Sequence, residues 1–254
     1  MKEQLISYYN VRQKNKIDTI VIHAAAQTDA NDLINLLEER ELSAHYVVDR
    51  KGEVIKLVDE KHRAWHAGAG IWNNERDINS NSIGIELCNG LFGEEPYTSE
   101  QMSALKKLCL YLMKKYKIEP TNVIAHSDMA PTRKIDPGTM FPWAEFARSG
   151  IGLWYNEKKL KNVGSVDTTK LLENIGYGVE DLEATEWAFL RHYNPDLYLY
   201  LGGKKGANRP SVEGVKLSEN KEFCQILQAV SDSFDRYRRN KHNVYYVMDN
   251  ILDK

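Results

Sequence analysis

The chain has 254 residues, of which 42% are hydrophobic and 28% charged, an ordinary globular composition with length for one large domain or two smaller ones. A formal net charge of −2 gives no electrostatic argument for nucleic acid or an anionic membrane, so neither is expected as a partner. No apolar run approaches the roughly 20 residues of a membrane span. Residues 1–10 lack the apolar centre of a signal peptide, which favours the cytoplasm.

Residues 18–23, a β-branched run ending in His23, read as a buried central strand. Leu33, Ile34, Leu36 and Leu37 then recur at helical spacing over residues 31–40. Residues 44–49 and 54–58 read as two strands, joined at Gly52, which supplies the positive φ that a hairpin turn needs. From Trp65 to Asn81 runs a Gly- and Asn-rich loop, and long loops inside a compact domain are often functional. Residues 82–89 form the next strand and carry Glu86 among apolar neighbours. Residues 98–116 have the pattern of an amphipathic helix, capped by Thr98 or Ser99, with Met102, Leu105, Leu108 and Leu112 on one face. A short strand at residues 123–126 leads into an irregular loop running to Gly138.

Strands alternating with helices over this stretch give an α/β (α+β) fold with a mixed central sheet flanked by helices. After Tyr155 the texture changes, and residues 156–162 are charged and polar, as in a linker. Helical patterns follow at residues 167–175, 181–193, 217–237 and 244–252. The expected organisation is a catalytic domain over residues 1–155 and a small all-α domain over residues 165–254. Cys88, Cys109 and Cys224 are widely scattered and form no CxxC pair, so they read as buried small hydrophobes.

Three separated residues point to metal chemistry. His23 and His126 end two strands, and Asp136 lies on the loop beyond. Two imidazoles and one carboxylate leave a tetrahedral Zn²⁺ with an open fourth position for water, as in catalytic sites. Glu86 is costly to bury as a charge; burial raises its pKa and makes it a usable base. Lys134 sits between two of the candidate ligands, where an ammonium can face developing negative charge. His62, His192 and His242 have no metal-like context and read as structural or surface residues.

Taken together, Ile20-Val21-Ile22-His23, the run from Ser43 to Asp49, Ala64-Trp65-His66-Ala67-Gly68, Asn81 to Glu86, the His126 to Gly138 run and Phe141-Pro142-Trp143 resemble the type 2 N-acetylmuramoyl-L-alanine amidases and peptidoglycan recognition proteins. The resemblance implies a zinc hydrolase holding one ion per chain through His23, His126 and Asp136. It makes Glu86 the general base and Lys134 the oxyanion stabiliser. His45, Trp65, His66 and Asn81 become candidate substrate-lining positions, with His45 and His66 equally readable as residues supporting the metal ligands or as structural histidines. The implied substrate is peptidoglycan or a muropeptide, cut between N-acetylmuramic acid (or its anhydro form) and L-alanine during cell-wall turnover or degradation. One departure is that Ala24-Ala25-Ala26 stands where relatives commonly carry a Tyr or Thr hydroxyl.

Leu171 to Gly178, with Ala188-Phe189-Leu190-Arg191-His192-Tyr193, resembles a small helical peptidoglycan-binding module. Trp187, Phe189 and Tyr193 are either its core or its ligand surface. That pairing of domains resembles exported amidases and points to the periplasm or cell wall, against the reading of residues 1–10. A muropeptide binder without activity is the competing class, but the complete ligand and acid–base set favours an enzyme. A zinc protease lacks support because no HExxH helix occurs.

Overall fold

The computed structural model describes residues 1–207 and 214–252, with side chains placed through residue 240. Its strands are β1 (Lys2–Glu3), β2 (Tyr9–Val11), β3 (Thr19–Ala25), β4 (Tyr46–Val48), β5 (Val54–Lys56), β6 (His62–Ala64), β7 (Ser82–Cys88) and β8 (Val123–Ala125). Its α-helices are α1 (Ala30–Glu39), α2 (Ile78–Asn81), α3 (Ser99–Tyr116), α4 (His126–Met129), α5 (Trp143–Arg148), α6 (Thr168–Ile175), α7 (Leu182–Tyr193), α8 (Pro195–Tyr200) and α9 (Lys221–Leu252). His242 lies outside the described side chains.

Six strands form one mixed sheet in the order β1-β5-β4-β7-β3-β8, and β2 pairs with β6 in a separate two-stranded ribbon. Only the β4–β5 hairpin is antiparallel in the large sheet. β3 is buried along its whole length, as parallel strands covered on both faces are.

Alternation along the central strands decides what each face meets. Ile20, Ile22, Ile83, Ile85 and Leu87 share one core with Met102, Leu105, Leu108 and Leu112 of α3. On the opposite face, Ala25, Val47 and Cys88 pack beneath Leu33, Ile34 and Leu37 of α1. Val21 and Ile124 on that face join Leu172, Ile175, Trp187, Phe189 and Leu227 of the C-terminal helices in another core. Between these two covered patches lies a strip of sheet face that carries His23 and Glu86.

The mixed α/β fold is the one expected. The C-terminal stretch is all helical among the described residues, and its apolar side is continuous with Trp72, Ile78, Met129 and Ala130 of the preceding part. Trp187, Phe189 and Tyr193 are core, which leaves them no surface for a ligand. All three cysteines are buried and free. Other details differ from the sequence patterns: His126, expected to end a strand, opens α4, and the end of the loop expected over residues 65–81 is α2. The last two helical patterns merge into α9, because neither Gly nor Pro interrupts residues 221–252. α8 is an additional helix, started by Pro195 at its first turn and capped by the Asn194 side chain, which accepts from the Leu197 amide.

Candidate active site and metal centre

Parallel pairing places the site. His23 of β3 stands in register with Glu86 of β7, so both side chains leave the sheet on one face. β8 adds to the other edge of β3 and ends at Ala125, which delivers His126 beside His23. From there the chain turns through α4, and the Ser127 amide donates to the Asp136 carbonyl at 3.0 Å. That bond closes the loop and brings the Asp136 carboxylate back over the two histidines.

The three polar ends converge. His23 Nδ1 lies 2.8 Å from His126 Nδ1, and Asp136 Oδ2 lies 3.0 Å from His126 Nδ1 and 3.4 Å from His23 Nδ1. Their ligand atoms all fall within 4.8 Å of one another, and all three residues are buried. A tetrahedral zinc with bonds of about 2.0–2.1 Å sets its ligand atoms roughly 3.3–3.4 Å apart. The set suits such an ion in donor type, and its spacing of 2.8 to 3.4 Å is up to about half an ångström tighter than a bound zinc would set. His126 Nε2 is 3.0 Å from the Ala67 carbonyl; a carbonyl only accepts, so Nε2 carries a hydrogen, which in a neutral ring leaves Nδ1 bare.

Electrostatics follow from burial. Burial and the neighbouring His126 push His23 down to about 4, which keeps it neutral, the form that ligates. Asp136 is desolvated as well, yet His126 and His23 hold it well below the usual carboxylate range. Glu86 Oε1 lies 3.9 Å from His23 Nδ1 with 15% of its side chain exposed. Burial and then the Asp136 charge push Glu86 up to about 8, opposed by Lys134. A carboxyl titrating near neutrality at the edge of a metal-ligand cluster suits proton transfer. Lys134 acts through its charge on both His23 and Glu86, and no hydrogen bond or ion pair of its ammonium is found among the described residues.

The structure separates the four substrate-lining candidates. Trp65 and His66 are partly exposed. His45 is fully buried, with Nδ1 accepting from the Gly84 amide at 3.0 Å and Nε2 facing the His62 carbonyl at 3.2 Å. Asn81 is also buried and donates to Asp18 Oδ1 at 2.9 Å. Burial favours the structural reading of His45 and sets Asn81 apart from a substrate-lining position, because neither presents a surface that a substrate can reach.

Several contributors escaped the sequence reading. Arg133 donates from Nη2 to the Ala67 carbonyl at 2.6 Å and also holds the Ala69 carbonyl, tying the loop over residues 126–138 to the loop after β6. Tyr97 donates its hydroxyl to the Pro137 carbonyl at 2.7 Å. Asp128 accepts from the Ala125 amide at 2.8 Å, from the Tyr177 hydroxyl at 2.7 Å and meets His192 Nδ1 at 2.8 Å. His192 is thus a structural histidine, buried and stacked on Trp143. Adjacency in the His126–Asp136 run was the only available signal for Arg133 and Asp128, and nothing local pointed to their partners.

The family model described as N-acetylmuramoyl-L-alanine amidase matches residues 13–139. The N-acetylmuramoyl-L-alanine amidase AmiD of Escherichia coli is 35% identical over 213 residues, 72% of this chain and 77% of that protein. The 1,6-anhydro-N-acetylmuramyl-L-alanine amidase AmpD of Haemophilus influenzae is 38% identical over 109 residues, covering 42% of this chain and 58% of its own length. Among solved structures, the E. coli AmiD complex with anhydro-N-acetylmuramic acid-L-Ala-D-gamma-Glu-L-Lys aligns with a TM-score of 0.69 at 31% identity, covering 87% of this chain and 91% of that one. AmpDh3 of Pseudomonas aeruginosa in complex with anhydromuramic pentapeptide aligns with a TM-score of 0.72 at 27% identity, covering 90% and 98%. The chain belongs to the N-acetylmuramoyl-L-alanine amidase family and is a hydrolase of the amide bond that joins muramic acid to L-alanine.

Proposed function

We propose that the protein is a zinc amidase, that His23, His126 and Asp136 hold the ion, and that its substrate is a muropeptide carrying anhydro- or intact N-acetylmuramic acid. The observation that carries this reading is the convergence of His23 Nδ1, His126 Nδ1 and Asp136 Oδ2 with the Glu86 carboxyl 3.9 Å from His23. When bound, zinc supplies Lewis acidity, polarising a carbonyl and easing deprotonation of water. Glu86 takes the proton of the attacking water at a carboxylate oxygen and gives it to the departing alanine nitrogen. Lys134 directs its ammonium at the carbonyl oxygen as negative charge builds there. Trp65 and His66, partly exposed beside the site, form part of its wall. The products are a lactyl carboxylate on the sugar and a stem peptide with a free amine. The helical stretch resembles a peptidoglycan-binding module and is proposed as a second unit over residues 165–254, with any wall contact made by residues other than its buried aromatics.

The test uses zinc-loaded protein, incubated separately with intact sacculi and with soluble anhydro-muropeptides. Free stem peptide is followed by mass spectrometry. Glu86→Gln is expected to retain zinc and to lose about 10²–10⁴-fold in turnover, the range for a positioned acid–base group. Near wild-type turnover in that variant would remove Glu86 as the base. Release from the soluble substrate alone would narrow the activity to fragments, and release from neither would refute the reading.

A further inference from the structure

The hydrogen-bond partners of His23 decide which of its nitrogens is bare. An imidazole ligates only through its unprotonated nitrogen, so the tautomer decides whether Nδ1 can bind. The answer lies in a chain of hydrogen bonds that starts at a group with only one possible role. The Ile78 carbonyl can only accept, and Ser82 Oγ lies 2.5 Å from it, so the single hydroxyl hydrogen of Ser82 points there. The Ser82 oxygen is then an acceptor toward His66 Nε2 at 3.1 Å. In a neutral ring this leaves His66 Nδ1 bare, and it stands 3.0 Å from His23 Nε2. His23 therefore donates from Nε2, and its Nδ1 lone pair faces His126 Nδ1 and Asp136 Oδ2.

We infer that the dipeptide His66-Ala67 is the orienting device of the metal centre. The His66 side chain fixes the tautomer of His23, and the Ala67 carbonyl fixes that of His126. His66 is thus a positioning residue, and Ser82 positions it in turn. The inference rests on the proposed zinc site.

Neighbouring residues are shaped around this dipeptide. Both of its amides donate to Asn79 Oδ1, at 3.1 and 2.8 Å, which anchors it to α2. Arg133 donates to the same Ala67 carbonyl at 2.6 Å. Gly84 lies directly beneath the His66 ring, where an added Cβ would stand 2.4 Å from His66 Cγ, so only glycine admits the ring at this depth. The result joins β7, α2 and the metal loop to one short segment. Partners of this kind hold ligating histidines in their productive orientation and typically contribute 10–100-fold to metal affinity.

The experiment pairs two readouts on the full chain. Long-range ¹⁵N NMR of the zinc-free wild type reports the tautomer of His23, and chelator competition gives the zinc affinity of wild type, His66→Phe, His66→Asn and Ser82→Ala. The expected wild-type spectrum shows His23 protonated on Nε2. His66→Phe fills the space without an acceptor and is expected to bind zinc about 10–100-fold more weakly. His66→Asn places an amide oxygen near the former Nδ1 and is expected to recover most of that loss, which simple space filling does not achieve. Ser82→Ala leaves the packing intact and is expected to weaken zinc several-fold, so the inference is tested even if His66→Phe fails to fold. His23 protonated on Nδ1 in the wild type would overturn the relay, as would unchanged zinc affinity in both His66→Phe and Ser82→Ala. Failure of the wild type itself to bind zinc would instead refute the metal reading, with the NMR result still deciding the tautomer.

Discussion

Removal of a single hydroxyl, Tyr177→Phe, tests how far the metal loop depends on the C-terminal helices. Tyr177 lies just after α6 and donates to Asp128 Oδ1 at 2.7 Å, inside the protein. Asp128 is two residues from His126, and its other oxygen caps the Ala125 amide. The substitution keeps the aromatic ring, which meets Trp72 edge-on at 5.1 Å between centroids and Phe189 at 6.1 Å. The loss is therefore confined to one hydrogen bond to a buried carboxylate, worth about 1.5–3 kcal/mol. For a chain of this size, each kcal/mol moves Tm by roughly 2–4 °C. A fall of about 4–8 °C is expected for a loss near 2 kcal/mol. Urea titration is the cleaner assay, since the midpoint should drop with no change in slope if the denatured state is unaffected. The zinc affinity of the same variant should fall as well, because the Ala125–His126 turn loses part of its anchor. Unchanged midpoint and unchanged zinc binding would show that Asp128 is held adequately by His192 and the Ala125 amide alone.

Lys134→Ala is expected to lower kcat by about 10²–10³-fold, the cost of losing one oxyanion donor, with zinc affinity little changed; equal loss in a ground-state binding assay would refute a role confined to the transition state. Gly84→Ala drives a methyl into the His66 ring and is expected to weaken both thermal stability and zinc binding, as read by calorimetry and chelator competition. His45 gives a pH test. Burial, and then the charge of Arg12, press it down to about 3, so the fold keeps it neutral while the unfolded chain takes up a proton below about 6.5. Stability from this group is complete above that pH and falls by about 1.4 kcal/mol per unit as the solution is acidified toward the folded value. His45→Asn preserves an acceptor for the Gly84 amide and is expected to flatten the urea-midpoint profile between pH 4 and 6. An identical profile in wild type and variant would refute the assignment.

The parts of this molecule legible in its sequence are those written in local pattern. β3, β7 and β8 announce themselves as β-branched runs, and α3 through the spacing of Met102, Leu105, Leu108 and Leu112, all buried as expected. The chemistry was legible for a related reason: histidine, aspartate and lysine stand out on a loop that follows an apolar strand. Residues whose role depends on distant partners were not legible. Arg12 lies just after the exposed strand β2, yet its guanidinium reaches the carbonyls of Glu60, Asn79, Ser80 and Ser82. Nothing within ten residues of Arg12 signals those acceptors. His45 and Asn81 were ambiguous for the converse reason, since polar side chains near a family motif look like binding groups until their burial is known.

The two outer patches of the sheet face give the site its form. α1 covers Ala25, Val47 and Cys88, and the C-terminal helices cover Val21 and Ile124. His23 falls between Val21 and Ala25 on the same strand face, so neither helical layer closes over it. Periodicity can show that β3 is buried on both faces, but it cannot show that the cover is divided at His23. That division requires two separate helical layers, and the second one comes from residues far beyond the amidase motifs. Met129 and Ala130 of the metal loop belong to the core those helices complete, and Tyr177 and His192 reach from them to Asp128. The C-terminal helices thus form one wall of the catalytic framework, whatever they touch on their outer side.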